Sequence, residues 1–284
     1  MVPSCHVLRA SIAGALLALL CTGAAAGAQA KLEASYTISI ARFTIGSVSA
    51  SAEFGDAQYT VTMSGRASGM LRILASGDGS LTAKGGLVDG RPVPMEFIAR
   101  TTTDDDTLDV RLTMDGGNVT ALSASTPAPD PNRVALTDEH RRAIIDPLSA
   151  LLFPAALSED GGLTEAACQR TLPIFDGRRR FDLKFTFKRM DKAKAERGYA
   201  GPVVVCAVSF QPVAGHRTSS AMIKYLSEGR EIEIAFAPVA GTRLLAPFRV
   251  SIANMLGNLV VQANRFEVIA PSSARAAAST GQVQ

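Results

Sequence analysis

The sequence has no tryptophan and few of the residues that most often build metal or catalytic sites. Its 284 residues include 0 Trp, 4 Cys and 3 His. Two histidines, His140 and His216, lie beyond the first thirty residues, in different predicted elements and without a further ligand at metal-binding spacing. No Gly-x-Ser-x-Gly elbow is present, so a hydrolase would need a nucleophile that the sequence does not reveal. We therefore expect no metal, no cofactor and no enzymatic activity.

The chain also lacks a strong charge and a long apolar run. Its net charge is +3 with 19% charged residues, which argues against a nucleic-acid partner, whereas 47% hydrophobic residues can build a core. The N-terminal apolar stretch from Ile12 to Leu20 is too short to span a bilayer. Because Arg9 precedes it and Ala28-Gln29-Ala30 follows it, residues 1–30 are predicted to be a signal peptide cleaved after Ala30. The sequence thus predicts a periplasmic protein without a transmembrane segment in the mature chain.

Cysteine use fits export. Cys5 and Cys21 belong to the signal peptide, and the bulky Leu20 before Cys21 argues against a lipid anchor there. The remaining pair, Cys168 and Cys206, is predicted to form a disulfide. A metal pair or a redox centre is the alternative, although no Cys-x-x-Cys spacing occurs. Closing a loop of about 39 residues would contribute about 4 kcal/mol in the chain-entropy model.

Alternation of apolar and polar residues dominates the chain from Tyr36 onward. The clearest case is Phe181 to Lys188, and Ala221 to Leu226 is likewise predicted to be a strand. About twelve strands are expected, separated by Gly-containing turns. Since open sheets of more than about ten strands tend to curl or close, residues 31–269 are predicted to form one all-β domain, a large curved antiparallel sheet or barrel-like wrap.

One segment, residues 137–153, does not follow this alternation of apolar and polar residues. Residues 137–153 carry apolar side chains at helical spacing, and Asp146-Pro147 is typical of a helix start. We expect a short helical insert there that fills the concavity of the sheet. Residues 270–284 are small and polar, which predicts a disordered tail.

Two sets of side chains are candidate binding residues. The first is an apolar set that would line the concavity: Phe181, Leu183, Phe185, Phe187, Leu148, Leu151 and Leu152. The second is a basic hairpin that would meet an anionic surface or an acidic partner: Arg178, Arg179, Arg180, Lys184 and Lys188.

Several motifs resemble a known family. These are residues 146–151 (DPLSAL), residues 168–177 (CQRTLPIFDG) with the basic strand after them, Gly201 to Cys206, and Ala246-Pro247-Phe248. Over about Tyr36 to Phe266 the chain is similar to the exported bacterial proteins of domain of unknown function 3108, in the form found in alphaproteobacteria. The resemblance implies a wrapped sheet but no catalytic residues, and the Trp common in family members near Ile232 to Phe236 is absent here.

Together these patterns predict a non-enzymatic cell-envelope protein that binds a lipid, or the acyl chain of a lipoprotein, in an apolar concavity. The alternative is a scaffold protein whose barrel is filled by its own side chains and whose basic hairpin binds another envelope protein.

Overall fold

The structure is a computed structural model that describes residues 30–67, 77–103, 107–125, 130–229, 231–253 and 257–269. Ala30 is the first of these residues. The rest of the predicted signal peptide and the predicted tail at 270–284 lie outside them, so both remain predictions from sequence.

Most of the described chain is β-strand, and the strands form one 15-stranded sheet. They are β1 (Ala30–Ile40), β2 (Phe43–Phe54), β3 (Gln58–Ala67), β4 (Gly77–Val88), β5 (Arg91–Thr103), β6 (Thr107–Asp115), β7 (Asn118–Ala124), β8 (Phe153–Pro154), β9 (Arg170–Phe175), β10 (Arg180–Lys194), β11 (Arg197–Gly198), β12 (Ala200–Ala214), β13 (Ile232–Val239), β14 (Leu244–Ile252) and β15 (Leu259–Ile269). Apart from the short parallel contact of β11 with β15, the pairings of these strands are antiparallel. The predicted large antiparallel sheet is therefore confirmed.

The sheet runs in the order β7-β6-β5-β4-β3-β2-β1-β15-β14-β13-β12-β10-β9. The first and last strands of the described chain, β1 and β15, are thus neighbours in its middle, paired from Lys31 with Ile269 to Ile40 with Leu259. Register shifts interrupt several pairings, and such bulges increase local twist and curvature.

Residues 143–146 connect the two edges of this sheet. The Ile144 N–H donates to Gly117 O in the β6–β7 turn over 2.8 Å, and the Ile145 N–H donates to Pro173 O of β9 over 2.9 Å. The Phe175 N–H donates back to Ile145 O over 3.1 Å. Backbone groups from both edges thereby obtain partners, and the sheet wraps most of the way round, as the strand count predicts.

Buried side chains form two clusters. The larger joins the apolar face of β1–β6 to residues such as Leu148 and Leu152, and it also takes alternate residues of β12 to β14. The smaller lies on the other face of β12 and β13 and includes Phe153, Phe185 and Phe236. Because β12 and β13 contribute to both clusters, they are buried on both faces, which explains their continuous apolar runs.

Helical structure differs from the sequence prediction in place and in type. The short helical insert expected near residues 137–153 is instead two single 3-10 turns, Asp138–Arg141 and Ser149–Leu151. A third 3-10 turn is Glu165–Cys168. The segment predicted as a strand from Ala221 to Leu226 is instead the α-helix α1 (Ala221–Ser227), and that prediction is wrong. The Ser220 side chain caps α1 by accepting from the Ile223 N–H.

Candidate functional site

An apolar pocket of about 260 Å³ lies between strands β1 to β3 and residues 148–152. We call it the apolar pocket, and its lining is Leu32, Tyr36, Val48, Ala50, Ala52, Val61, Met63, Leu148, Leu151, Leu152, Ala246, Pro247, Val250 and Val261. About half of these residues, among them Met63, Leu151 and Val250, are only half-buried. The pocket is therefore not sealed within the core.

Strand register explains why one wall is apolar. Leu32 lies opposite Ala52 in the β1–β2 pairing, and Ala50 lies opposite Met63 in the β2–β3 pairing. Directly opposed residues share a face, so the alternation of each strand sums to one apolar surface. Ala50 and Ala52 contribute only methyl groups to this wall, and the room left above them is part of the pocket.

The opposite wall is held in place by a buried polar cluster. Asp146 Oδ1 accepts hydrogen bonds from the backbone N–H groups of Leu148 and Ser149, each over 2.9 Å. The Ser149 hydroxyl lies 2.6 Å from the Tyr59 hydroxyl of β3. Asp146 and Ser149 have no exposed surface. These contacts fix the turn that presents Leu148, Leu151 and Leu152 to the pocket.

Burial sets the protonation of this cluster and of the nearby Tyr36. It raises the pKa of Asp146 to about 6, although hydrogen bonds from Ser149 and Leu148 oppose that shift. It also raises the pKa of Tyr59 and Tyr36, so both phenols keep their protons. The Tyr36 hydroxyl donates to Pro247 O over 2.8 Å and ties β1 to β14 beside the pocket.

The structure separates the seven predicted apolar binding residues. Leu148, Leu151 and Leu152 line the apolar pocket, whereas the four residues of β10 do not. Phe185 packs in the smaller cluster, with its ring centroid 4.8 Å from that of Phe153. Leu183 and Phe187 pack at the edge of the same cluster, and the Phe181 ring centroid lies 5.4 Å from that of Phe210. These four side chains have partners within the fold.

The predicted basic hairpin is partly neutralised. Arg180 Nη1 lies 2.6 Å from Asp182 Oδ1, and Lys188 forms ion pairs with Glu231 and Glu233. Backbone N–H groups of Arg178 and Arg179 donate to Asp176 Oδ1 in the β9–β10 turn. The Arg179 and Lys184 side chains are exposed. The five cations thus do not form one uncompensated stripe.

Cys168 and Cys206 form a disulfide with their Cα atoms 5.4 Å apart. It joins the 3-10 turn Glu165–Cys168 to β12 at the base of the smaller cluster. Both residues are fully buried. The predicted pairing is confirmed.

Other predicted features can be placed only in part. His140 Nδ1 accepts from the Thr137 N–H over 3.0 Å, and His216 O accepts from the Val134 N–H over 2.9 Å. Within the described ranges, no three His, Cys, Asp or Glu side chains are grouped as metal ligands would be. Across the same ranges, no helix has the length and apolar character to cross a membrane.

Sequence reasoning missed Tyr59 as a partner of Ser149. The two residues are 90 positions apart, and neither belongs to a motif that pairs them. Ala50 and Ala52 of β2 were also missed as pocket residues. Their small side chains leave room for a pocket only because residues 148–152 form a wall opposite them.

Comparison with known proteins places the chain among proteins whose function is not known. Residues 35–263 match the sequence model of DUF3108, described as a protein of unknown function. No curated protein matches the chain. Among solved structures, it is similar to a β-barrel-like protein of domain of unknown function DUF1849 from Brucella abortus, with a TM-score of 0.49 and 10% identity over 85% of this chain and 99% of that one. It is also similar to a protein from Parabacteroides distasonis named "putative lipoprotein", with a TM-score of 0.35 and 8% identity over 85% of this chain and 97% of that one.

Proposed function

This chain belongs to the DUF3108 family of proteins of unknown function, and we propose that it is a non-enzymatic periplasmic protein of the cell envelope that binds one acyl chain of a lipid or lipoprotein. The observation that carries this proposal is the apolar pocket, whose walls are aliphatic side chains and the Tyr36 ring. The Cys168–Cys206 disulfide supports an oxidising compartment.

Pocket size favours a single chain. Ligand pockets in proteins typically measure about 300–1,000 Å³, and the apolar pocket, at about 260 Å³, lies just below that range. Each methylene that leaves water contributes about 0.8 kcal/mol, so eight buried methylenes would contribute about 6 kcal/mol before the entropy lost on association. About 6 kcal/mol corresponds to a Kd of about 40 μM before that entropy is subtracted, so we expect weaker affinity than this for a free fatty acid, of about 0.1 mM to a few mM.

Support for a non-enzymatic role comes from the polar groups nearest the pocket. The Ser149 hydroxyl is fully buried against Tyr59, and the Asp146 carboxylate accepts from the backbone of its own turn. Both groups stabilise the wall of the pocket. A broad screen of ester and peptide substrates tests this part of the proposal, and turnover lost in Ser149→Ala would contradict it.

The binding test compares two substitutions to leucine on β2. Ala50→Leu adds three carbons inside the apolar pocket, whereas Ser49→Leu adds apolar bulk on the other face of the same strand, where residue 49 is exposed. Delipidated mature protein is titrated with dodecanoate by calorimetry. We expect uptake by the wild type and by Ser49→Leu, and at least about tenfold weaker binding by Ala50→Leu, which is about 1.4 kcal/mol.

The protein is also purified from its native periplasm, and native mass spectrometry measures the mass of the intact protein with any bound ligand. A second sample is extracted with organic solvent for lipid analysis. A bound acyl species supports the proposal. It fails if the wild type neither carries nor takes up an acyl chain, or if both Leu variants bind dodecanoate as the wild type does.

A further inference from the structure

A second and larger concavity is lined by other residues of β1, β14 and β15 than the apolar pocket is. Thr37 and Ser39 alternate along β1 with the pocket residue Tyr36, and Arg249 of β14 and Gln262 of β15 are paired beside Val250 and Val261. The main depression measures about 720 Å³ and a neighbouring one about 510 Å³. They share four lining residues, Ser39, Arg249, Asn258 and Gln262. We call the two together the polar groove.

The floor of the polar groove is apolar and its sides are polar. Val205, Ala235 and Phe248 belong to the larger buried cluster and also line the main depression. Amide and hydroxyl side chains stand around them, including Asn264, whose Nδ2 donates to Thr37 Oγ1 over 3.3 Å. A site with a rigid floor and convergent polar groups is the usual form of a small-molecule site.

Three of the four carboxylates in the groove are ion-paired, and they share two cations, Lys188 and Arg189. Glu233 pairs with Arg189 over 2.9 Å and with Lys188, which also binds Glu231. Asp191 Oδ2 lies 3.5 Å from Arg189 Nε. Glu196 is the fourth, and no ion pair to it is found among the residues that the structure describes.

Four cations in the groove have no carboxylate partner in the described part of the chain: Arg42, Arg249, Lys192 and Lys194. Arg42 and Arg249 line the same depression, and the two lysines line the main one next to it. With Lys188 and Arg189 included, six cations stand against four carboxylates, so the groove has a net charge of +2. Such a field attracts anions.

Arg42 lies in the turn between β1 and β2 and lines the polar groove. The two-residue turn between β1 and β2 places Ala41 at φ 48° and Arg42 at φ 74°. Turns of this kind favour Asn and Gly, because a side chain is strained in the left-handed region. The chain has arginine at this position instead, and its side chain lines the same depression as Arg249.

We infer that the polar groove is an anion-binding site whose ligand carries two or more phosphate groups. Two guanidinium groups beside one depression match the geometry of phosphate, to which arginine donates two parallel hydrogen bonds. The neighbouring lysines supply point charges for a second phosphate. The inference does not depend on the proposed acyl binding, since the groove and the apolar pocket share no lining residue.

The test uses mature protein and inorganic tripolyphosphate as the probe, titrated by calorimetry at about 0.01 M and about 0.15 M ionic strength, where the Debye length falls from about 30 Å to about 8 Å. The variant is Arg42→Gly with Arg249→Gln. Glycine suits the φ of residue 42, so loss of binding cannot be attributed to a disturbed turn. The matched control is Arg100→Gln with Arg111→Gln, which removes two arginines that are ion-paired on other strands.

We expect the wild type and the control to bind tripolyphosphate alike, and the groove variant to bind at least about tenfold more weakly, with a smaller salt dependence. Sedimentation with phosphatidylglycerol vesicles distinguishes the source of the phosphate. Vesicle binding that disappears in the groove variant indicates a lipid headgroup, whereas tripolyphosphate binding without vesicle binding indicates a soluble phosphorylated ligand. The inference is overturned if the wild type does not bind tripolyphosphate, or if the control loses as much affinity as the groove variant. Ala50→Leu should bind tripolyphosphate normally, which separates this result from the acyl test.

Discussion

Asp146 has a carboxyl group that is completely buried and only half satisfied. Its Oδ1 accepts two backbone N–H groups, while its Oδ2 has no hydrogen-bond partner within the described residues. A buried carboxylate without full solvation favours its protonated form. The residue that fixes the pocket wall is therefore also sensitive to pH.

Asp146→Asn is expected to change the pH dependence of stability. The folded-state pKa of about 6 is above the ordinary value of 3.8, so the native state holds the proton more tightly than the unfolded state. The stabilisation is full below pH 4 and is lost as the pH rises to about 6, a change of about 3 kcal/mol. Asparagine can still accept the two N–H groups. Urea unfolding from pH 4 to pH 7 should therefore show the variant gaining stability relative to the wild type, and parallel profiles would refute the assignment.

Gly85 of β4 packs closely against Tyr59, which belongs to the same buried polar cluster as Asp146 and Ser149. A Cβ there would lie 2.2 Å from Val93 O and 2.7 Å from the Tyr59 hydroxyl, so the backbone or the Tyr59 ring would have to move. We expect Gly85→Ala to lower the free energy of unfolding by about 2 kcal/mol through overpacking. Gly86→Ala is the control, because the nearest atom to its Cβ is 3.6 Å away. Thermal unfolding measures both, and equal midpoints for the two variants would contradict the prediction.

At the scale of elements, the sequence predicts the strands better than the segments between them. Period 2 identifies β10 and its faces because a slip of one residue would expose Phe185 and its neighbours. The same rule fails for α1, whose seven residues are too few for a helical period to stand out from an alternating one. Residues 144–152 have helical spacing, but the fold uses Ile144 and Ile145 to join two sheet edges and buries Asp146 beside them, which leaves room for single turns only.

The sequence predicts part of the apolar pocket and, as with the elements, misses the rest. Leu148, Leu151 and Leu152 could be assigned to the concavity because an apolar segment in the middle of a β-protein must be buried somewhere. The four apolar residues of β10 carry an equally strong sequence signal, yet three of them pack in or against the smaller cluster and Phe181 packs on Phe210. The curvature of the whole sheet decides which apolar face lines a cavity. A local sequence pattern does not contain that information.

The disulfide leads to a prediction about residues 153–168, which cover the smaller cluster. Cys206→Ser removes the bond to Cys168 and with it a restraint on the unfolded chain, so we expect a loss of about 4 kcal/mol without a change of fold. Urea unfolding gives the loss, and circular dichroism checks the strand content. Denatured, unreduced wild-type protein should show no free thiol in its mature form. Two free thiols would contradict the disulfide itself.

At the scale of the molecule, the central pairing of the sheet joins the two ends of the described chain. Ala34 of β1 lies opposite Phe266 of β15, whereas Phe97 of β5 lies opposite Leu112 of β6, only one hairpin away. Contacts that close a long loop form at a greater entropy cost than those within a hairpin. We therefore expect the meander β2 to β7 to be ordered before β15 pairs with β1.

Folding kinetics can separate these two kinds of contact. Phe266 is fully buried and its ring packs against Tyr199 and Phe248, with centroids 5.8 Å and 5.6 Å away, while Leu112 is fully buried in the meander. Phe266→Ala and Leu112→Ala should each cost about 3 kcal/mol. If β15 docks after the rate-limiting step, Phe266→Ala accelerates unfolding on the order of 100-fold and leaves refolding unchanged, whereas Leu112→Ala slows refolding. Stopped-flow unfolding and refolding of the disulfide-intact protein measure both rates. Slower refolding of Phe266→Ala would instead mean that the two chain ends meet early, and that the wrap of the sheet is established before its hairpins are complete.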